Sequence, residues 1–473
     1  MSLPKDSTEK LLSDEQQENA IHNPPTSTSS SQKWSIRKAL TSGILAPLKV
    51  RDFRLLFGGQ LVSTVGDAFY AVALPWLVLT NGGNAQELGI ILSAYGIPRI
   101  GSVLLGGVLS DRLRPRRVML LADFTRAILV GILAMLALTG HPAFWQLLLV
   151  AIPLGTFDGL FLPASFAMLP EVLEDADLQA GNALNTSSVQ LATLVGSGVG
   201  GVVVGALRSG VALAIDALSF VASAVSLALI RGRTQRAPAT EGEAATSQPK
   251  ELAAEGMKTV AVPVESANAE TMQAAPVSEQ PATFWQFVRE SQVMQAAFIV
   301  SLFANITFGG LIEVALPSLA HGPLAAGANG YGAILAAFGA GALLGSLVTG
   351  MLGNIPHRGT IALGVSMLQA IAVALIPYGG LAGAIVFMAA MGIFNSVTNV
   401  IFITIMQQII PRHLLGRLMG VFMFASFGSY PLSVAIVGII VAHLGPAIIF
   451  SIGGATLFLA VAFGLTRKQL RDL

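Results

Sequence analysis

Three ionisable side chains lie within long apolar segments of the sequence, and two of them are carboxylates that can bind and release a proton. Asp67 and Arg99 fall near the middle of the first and second apolar segments, and Asp158 lies just past the middle of the fourth. A charge in hydrocarbon costs about 2.5 to 3.5 kcal/mol, so it is retained where it faces a cavity or a partner. We expect Asp67 or Asp158 to take up and release a proton next to Arg99. The alternative is a permanent salt bridge that holds these segments together.

The composition excludes several classes of protein. Of the 473 residues, 53% are hydrophobic and 11% are charged, and this is more apolar surface than one water-soluble core can bury. The net charge of +1 offers no basic face for nucleic acid. Cysteine is absent, which excludes disulfides and thiolate sites, and we expect no metal and no cofactor. No Gly-x-x-x-x-Gly-Lys-Ser/Thr loop is present, so we do not expect an ATPase. We expect a protein that is not an enzyme.

About twelve apolar windows are long enough to cross a hydrocarbon core of about 30 Å. The first six are expected at 54–80, 87–110, 117–139, 143–168, 181–207 and 211–230. The second six are expected at 293–319, 328–353, 359–377, 380–409, 415–442 and 445–466. The predicted fold class is an all-α membrane protein with twelve transmembrane helices in two pseudo-symmetric six-helix bundles.

These segments divide the chain into five parts. The parts are an N-terminal tail at 1–50, a first bundle at 51–231, a disordered linker at 232–282, a second bundle at 283–466 and a C-terminal tail at 467–473. The second bundle opens with an interfacial helix near 284–290, or with the start of the seventh span. Basic residues concentrate in the tails and in the loop after the second segment, which places both termini in the cytoplasm. We expect a monomer in the cell (inner) membrane.

The two halves of the sequence repeat each other. The run Ala73-Leu-Pro75 corresponds to Ala315-Leu-Pro317, and at nearly the same offset Gly89 corresponds to Gly332 and Tyr95 to Phe338. Parallel six-helix halves with a binding site between them are typical of secondary transporters.

Two motifs identify the family that the sequence resembles. The run Gly107-Val-Leu-Ser-Asp111-Arg112-Leu-Arg-Pro-Arg116-Arg117 resembles the loop motif of the major facilitator superfamily, with Arg114 where a second Gly is usual. The run Gly196-Ser-Gly-Val-Gly200-Gly201 resembles the superfamily's antiporter motif, with Ser197 in place of proline. Three further phrases are similar to the drug:proton antiporter branch that contains macrolide and siderophore exporters: Arg51-Asp-Phe-Arg-Leu-Leu, Leu169-Pro-Glu-Val and Asp216-Ala-Leu-Ser-Phe220.

The resemblance implies that the loop motif forms a cytoplasmic gate. Gly107, Asp111 and Arg112 then latch the two halves together when the protein faces outward, unless they are only a stop signal and a solvated charge cluster. Asp123 and Arg126 are three residues apart and can pair on one helix face near the cytoplasmic boundary, where we expect a structural or gating role. The arginines around the motif are interpreted as topology determinants.

The remaining candidates concern packing and binding. Small residues at regular spacing in the fifth segment predict close helix packing: Gly196, Gly200, Gly201 and Gly205. Glu313, the only acid within the helices of the second half, can bind a proton or a cationic ligand, or be solvated and without a role. Asp216 begins the sixth segment and is expected to cap a helix or contact a loop. Amide and aromatic side chains that suit an amphipathic ligand, or simply pack against lipid, are Phe303, Asn305, Phe308, Asn395, Asn399 and Gln407.

The sequence therefore predicts an exporter that moves small amphipathic compounds out of the cell by alternating access, in exchange for protons. Its expected partners are the lipid bilayer, the substrate and protons. Export of an endogenous metabolite such as a siderophore is an alternative within transport. A membrane sensor or scaffold that does not transport is an alternative from another class, because a fold does not fix a function.

Overall fold

The computed structural model describes residues 45–231, 305–306, 308–352, 358–409 and 412–466. The expected linker at 232–282, the expected interfacial helix, most of the N-terminal tail and all of the C-terminal tail lie outside the described residues. The described part of the chain is almost entirely helical.

Six long helices follow a short 3-10 helix, Ala46–Lys49, in the first half. They are α1 Arg51–Thr80, α2 Ala85–Leu113, α3 Pro115–Thr139, α4 Phe144–Val172, α5 Asp175–Leu207 and α6 Ser209–Leu229. Helix α5 begins at Asp175 rather than near residue 181, because it continues through a polar stretch that lies outside the apolar window.

The described residues of the second half form six more helices. They are α7 Leu316–His321, α8 Gly327–Leu352, α9 Arg358–Leu375, α10 Gly380–Ile409, α11 Arg412–Leu444 and α12 Ala447–Leu465. A π-helical turn, Leu311–Ala315, leads directly into α7. A 3-10 turn, Ile376–Tyr378, extends α9.

The ends of the helices follow from local sequence. The side chain of Asn84 caps α2 by accepting a hydrogen bond from the Glu87 backbone N–H at 2.9 Å. Between α2 and α3, Arg114 adopts a φ of 72°, a region that glycine favours, and Pro115 then starts α3. Arg116 donates to the carbonyl oxygens of Leu227 at 2.8 Å and Ala228 at 2.6 Å, so it satisfies backbone groups at the end of α6.

Ten helices of the described chain are long and apolar enough to cross a membrane, and α11 contains a shorter apolar stretch at Gly428–Leu444. Their outward faces carry many large apolar side chains, more than the surface of a water-soluble protein exposes. Examples that are more than 60% exposed are Leu104, Leu105, Leu149, Leu218, Val386 and Leu459. A surface of this kind fits hydrocarbon rather than water.

The packing of the two halves is the same. In the first half α2 packs on α4 and α3 packs on α6, and in the second half α8 packs on α10 and α9 packs on α12. The halves meet where α2 contacts α11 and where α5 contacts α8. The predicted fold class is thus confirmed, with two pseudo-symmetric bundles.

Glycines let the two halves approach closely. A Cβ added to Gly89 on α2 would lie 2.5 Å from the Val434 carbonyl oxygen, and one added to Gly332 on α8 would lie 2.6 Å from the Ser197 carbonyl oxygen. We call the end of the bundle that carries the α2–α3 turn the basic face, and the other end the opposite face. These glycines lie in the halves of their helices nearer the opposite face, so the bundles are in backbone contact there.

Polar and aromatic contacts reinforce this closure near the opposite face. The Ser93 hydroxyl donates to the Pro431 carbonyl oxygen at 2.9 Å, joining α2 to α11. The Trp76 ring stacks on Tyr331 with centroids 6.4 Å apart, and it meets the His321 ring edge to face at 5.3 Å. Both contacts link α1 to the second half.

Candidate functional site: a buried charge cluster and a polar cavity

Arg126 on α3 is the centre of a charge cluster in the first half. Its guanidinium lies 3.2 Å from Asp67 of α1, 3.4 Å from Asp123 one turn earlier and 3.5 Å from Asp158 of α4. One cation is therefore shared by three carboxylates from three helices, which fixes the relative position of α1, α3 and α4.

The surroundings of Arg126 are aromatic and closed. Its side chain is 3% exposed, and the guanidinium carbon lies 4.0 Å from the ring centroid of Phe220 and 4.9 Å from that of Phe161. Ring faces attract a guanidinium and supply part of the solvation that the bilayer interior lacks. The pairing of Arg126 with Asp123 that the sequence predicts is present, but Arg126 also lies at the level of Asp67 and Asp158, and its predicted gating role stays a prediction.

Asp158 is the most heavily bonded acid of the cluster. Besides Arg126, it contacts Arg99 Nε at 2.7 Å and accepts a hydrogen bond from the Tyr95 hydroxyl at 2.8 Å. Arg99 and Tyr95 both belong to α2, so the cluster ties α2 to α4. The structure thus brings Asp67, Arg99 and Asp158 together, as the sequence predicts for either a proton site or a salt bridge.

The other two acids that contact Arg126 differ in how far a solvent molecule can reach them. Asp123 is fully buried and accepts a hydrogen bond from the Ser223 hydroxyl of α6 at 2.6 Å. The Asp67 side chain is 48% exposed although it lies within a membrane-spanning helix. A molecule the size of water can therefore reach Asp67 but not Asp123.

Asp216 is a fourth acid of this region, and its sequence interpretation was wrong. It lies one full turn and more inside α6 and is 1% exposed, so it is neither a helix cap nor a loop residue. The expected sixth window began at residue 211, which put Asp216 close to the start of its helix. Helix α6 begins earlier, at Ser209, and its packing buries Asp216 within the bundle. A Cβ on Gly66 of α1 would lie 2.5 Å from its Oδ1, so a small residue on α1 makes room for it.

A cavity of about 30 Å³ lies among Asp67, Asp158, Asp216 and Arg126. This is room for about one water molecule. Oδ2 of Asp216 is buried and has no hydrogen-bond partner within the described residues. The cavity therefore connects the accessible acid, Asp67, with a buried acid that has a free acceptor.

Glu313 lies in the π-helical turn before α7 and is partly buried. Within the described part of the chain it forms no ion pair. The π-helical turn that carries Glu313 packs on α11 and also contacts α2 and α1. Glu313 is therefore close to where the halves meet, outside the cluster itself. Its role stays a prediction.

A larger cavity of about 350 Å³ lies in the second half. It is lined by Asn305, Phe308, Ile312, Phe338, Ser366, Gln369, Met391, Asn395, Thr398, Asn399, Phe402 and Leu457. Four residues proposed from the sequence as ligand contacts lie on its wall: Asn305, Phe308, Asn395 and Asn399. Phe303 and the side chain of Gln407 lie outside the described residues. This volume is within the usual range for small-molecule pockets.

The expected gate residues can be placed only in part. A Cβ on Gly107 would meet no atom within 4 Å, Arg112 is exposed at the basic face, and the side chain of Asp111 lies outside the described residues. The latch between the halves therefore stays a prediction.

The glycines of α5 divide between two neighbours. Gly196 and Gly200 pack on α1, at Ala68 and Phe69, whereas Gly201 and Gly205 pack on α8, at Gly332 and Asn329. The close packing of these glycines thus serves both the first bundle and the contact between the halves.

Sequence reasoning missed several residues of the two sites. They are Tyr70, which lines the small cavity, and Tyr95, Ser223, Ser366 and Gln369. Tyr95 was noted only as a repeat position, and Ser223 is seven residues after Asp216, on the same face of α6. That spacing was the available signal for Ser223. Within the described residues, no group of three or more His, Asp or Glu side chains is arranged to hold a metal ion.

Two six-helix bundles with a buried charge cluster and a ligand-sized cavity form the architecture that is typical of secondary membrane transporters. A family model of the Major Facilitator Superfamily matches residues 56–434, and the chain belongs to this superfamily. The resemblance seen in its motifs is thereby confirmed.

Relatives in the superfamily include two exporters. The chain is 25% identical over 399 residues to the multidrug efflux pump Tap of Mycolicibacterium fortuitum, covering 81% of this chain and 88% of the pump. It is 24% identical over 413 residues to the enterobactin exporter EntS of Salmonella typhi, covering 85% of this chain and 88% of the exporter. A bacterial homologue of the iron transporter ferroportin, solved in an inward-facing state, shares the fold with a TM-score of 0.63, 11% identity and coverage of 88% and 98% of the two chains.

Proposed function

We propose that this protein is a secondary active exporter that moves small amphipathic organic compounds out of the cell by alternating access, in exchange for protons. The observation that carries the coupling is the imbalance of charge in the first half. Asp67, Asp123, Asp158 and Asp216 are four acids, whereas Arg99 and Arg126 are two cations. Fully ionised, the cluster holds an excess of two negative charges at a depth where uncompensated charge is costly.

Bound protons are the smallest species that can balance this excess. Asp67 is the best candidate carrier, because its side chain is accessible and is held by a single 3.2 Å contact to Arg126. When Asp67 is protonated, it no longer forms an ion pair with Arg126, which then binds only Asp123 and Asp158. When Asp67 is ionised, the ion pair with Arg126 forms again. Since Arg126 joins three helices, this exchange of partners can change how α1 packs against α3 and α4.

The direction of export and the substrate class rest on the relatives. The multidrug pump and the enterobactin exporter both move their cargo outward, by their names, and both align with more than four fifths of this chain. Export of an endogenous siderophore-like metabolite is the second candidate, and the alignment with the enterobactin exporter favours it.

The orientation in the membrane is part of the proposal. Arg112, Arg114, Arg116 and Arg117 all lie at the basic face, so the positive-inside rule puts this face, and both termini, in the cytoplasm of a cell (inner) membrane. With the bundles in contact near the opposite face, the conformation described here corresponds to one that is closed to the outside. We expect the unit of function to be a monomer.

Efflux from energised vesicles tests the function. Inverted membrane vesicles that contain the protein should concentrate amphipathic compounds from a panel of cationic, neutral and anionic members, with ethidium as the permanent cation. Collapse of the proton gradient by an uncoupler should abolish the accumulation. Accumulation that is indifferent to the uncoupler would remove proton exchange, and no accumulation of any compound would favour the sensor or scaffold.

A further inference from the structure

The charge cluster of the first half and the polar cavity of the second half occupy corresponding positions of the internal repeat. Gly89 and Gly332 correspond in the repeat, and Arg126 and Gln369 are separated by the same number of residues. The same separation relates Asp123 to Ser366. By this offset Gln369 corresponds to Arg126, and Ser366 corresponds to Asp123. Gln369 and Ser366 both line the cavity. The cavity is therefore built at the place where the first half puts its central arginine.

Contacts between helices establish the same correspondence for α4 and α10. A Cβ on Gly155 of α4 would collide with the carbonyl oxygen of Tyr95, and a Cβ on Gly392 of α10 would collide with that of Phe338. Because Tyr95 and Phe338 correspond, Gly155 and Gly392 do too. Three residues further along their helices are Asp158 and Asn395, so the acid bonded to two arginines is replaced by an amide.

Four charges of the cluster have neutral counterparts in the second half. With the offsets of the matched helices, the counterparts of Arg99, Asp123, Arg126 and Asp158 are Ala342, Ser366, Gln369 and Asn395. The counterparts are mostly smaller. The first half retains a cavity of about 30 Å³, whereas the second half holds one of about 350 Å³.

The wall of this larger cavity combines amides and hydroxyls with aromatic rings. Asn395 and Gln369 present amides from α10 and α9. Phe338 presents a ring from α8, and Phe308 presents one from the residues just before the π-helical turn. None of its lining residues, all within the described ranges, is charged. An ion bound there would lose its hydration without gaining a counter-ion, whereas an uncharged polar ligand would keep its hydrogen bonds.

We propose that the two halves divide the work: the first half holds the coupling ion, and the cavity of the second half is a subsite for the uncharged, hydrogen-bonding part of an aromatic or amphipathic ligand. This inference rests on the proposed function for its physiological meaning. Its test measures binding at equilibrium without a proton gradient, so failure of transport and failure of this subsite give different results.

The test uses the full chain in lipid nanodiscs and two probes that share an anilinonaphthalene core. N-phenyl-1-naphthylamine is uncharged, and 8-anilinonaphthalene-1-sulfonate is an anion. After subtraction of empty nanodiscs, the wild-type protein should bind the neutral probe saturably and the anion at least about tenfold more weakly. Absence of saturable binding of the neutral probe, or equal binding of the two, would overturn the proposal.

A pair of substitutions then places the probe in this cavity. Gln369→Arg with Asn395→Asp recreates the Arg126–Asp158 pair of the first half and fills the space, so affinity for the neutral probe should fall by about tenfold or more. Asn81→Asp at the end of α1, outside the cavity, is the matched control and should bind as the wild type does.

A single substitution guards against a misfolded double variant. Gln369→Leu keeps the size of the side chain and removes its hydrogen bonds, and its folding is checked by size-exclusion chromatography and thermal unfolding. It should also weaken the neutral probe. Unchanged affinity in a folded double variant, or in folded Gln369→Leu if the double variant fails to fold, contradicts the proposed subsite.

Discussion

Arg126 shows how one side chain organises a site within a membrane. It contacts carboxylates on α1, on its own helix and on α4, and two ring faces cover it. Because the three acids compete for one guanidinium, protonation of any of them redistributes the bonds of the other two. A residue shared in this way suits a role in coupling better than an isolated ion pair would, since an isolated pair has a single arrangement.

Arg114 offers a test of local strain at the residue scale. Its φ of 72° is sparsely populated by residues with a Cβ, at a cost of about 1 to 3 kcal/mol. Arg114→Gly should therefore raise the free energy of unfolding by about 1 kcal/mol, measured as an increase in the thermal midpoint in detergent.

Arg112 provides the matched control for that substitution. It lies in the last turn of α2, where a glycine lowers helix stability by up to about 1 kcal/mol. Arg112→Gly should lower the midpoint. A lower midpoint for Arg114→Gly as well would show that the turn is not strained.

The limits of sequence reasoning are also clearest for single residues. Long apolar windows predicted the helices because hydrocarbon thickness fixes their length. The same windows misplaced Asp216, because they locate a residue along the chain and not on a helix face. Arg126 was expected near a boundary for the same reason, and its bonds to Asp67 and Asp158 depend on tertiary packing that spacing within one helix does not reveal.

At the scale of helices, glycine contacts set how the halves fit. Gly89 and Gly438 join α2 to α11, and Gly332 and Gly201 join α8 to α5, so the repeat builds the same kind of contact twice. The sequence motif predicted close packing of α5. It did not predict the partner, because a glycine stripe shows that a helix can be approached but not by which neighbour.

Gly332→Leu should disturb this contact. Its Cβ would lie 2.6 Å from the Cα of Gly201, so α5 and α8 must separate near the opposite face. Overpacking of this kind costs about 1 to 3 kcal/mol, which would shift the equilibrium away from the closed arrangement by about 5- to 150-fold. Spin labels on Leu207→Cys and Leu324→Cys report the separation, in a chain that has no native cysteine.

Gly364→Leu is the control for this experiment, because a Cβ on Gly364 would meet no atom within 4 Å. It should leave the distance between the labels unchanged. An unchanged distance in Gly332→Leu as well would mean that the α5–α8 contact does not hold the opposite face closed.

At the scale of the molecule, two equal architectures carry unequal chemistry. The repeat gives both halves the same helix packing, so the sequence alone predicted the fold well. The acids of the cluster lie on α1, α3, α4 and α6 of the first half. The corresponding position of the second half is a cavity lined by uncharged residues. Such an arrangement lets a coupling ion and a substrate bind in different bundles and still affect each other through the contact between the halves.

The most direct test of this account compares two modes of transport in proteoliposomes that contain Asp67→Asn. Efflux of a panel compound that wild-type vesicles accumulate, measured against its gradient and driven by an inward proton gradient, reports coupling. Exchange of the same compound at equal concentrations reports the carrier cycle alone. Glu87→Gln, an acid-to-amide change at the start of α2, is the control and should leave both rates near those of the wild type. We predict that Asp67→Asn keeps exchange and loses uphill efflux; uphill efflux at the wild-type rate would contradict a proton-binding role for the cluster's accessible acid.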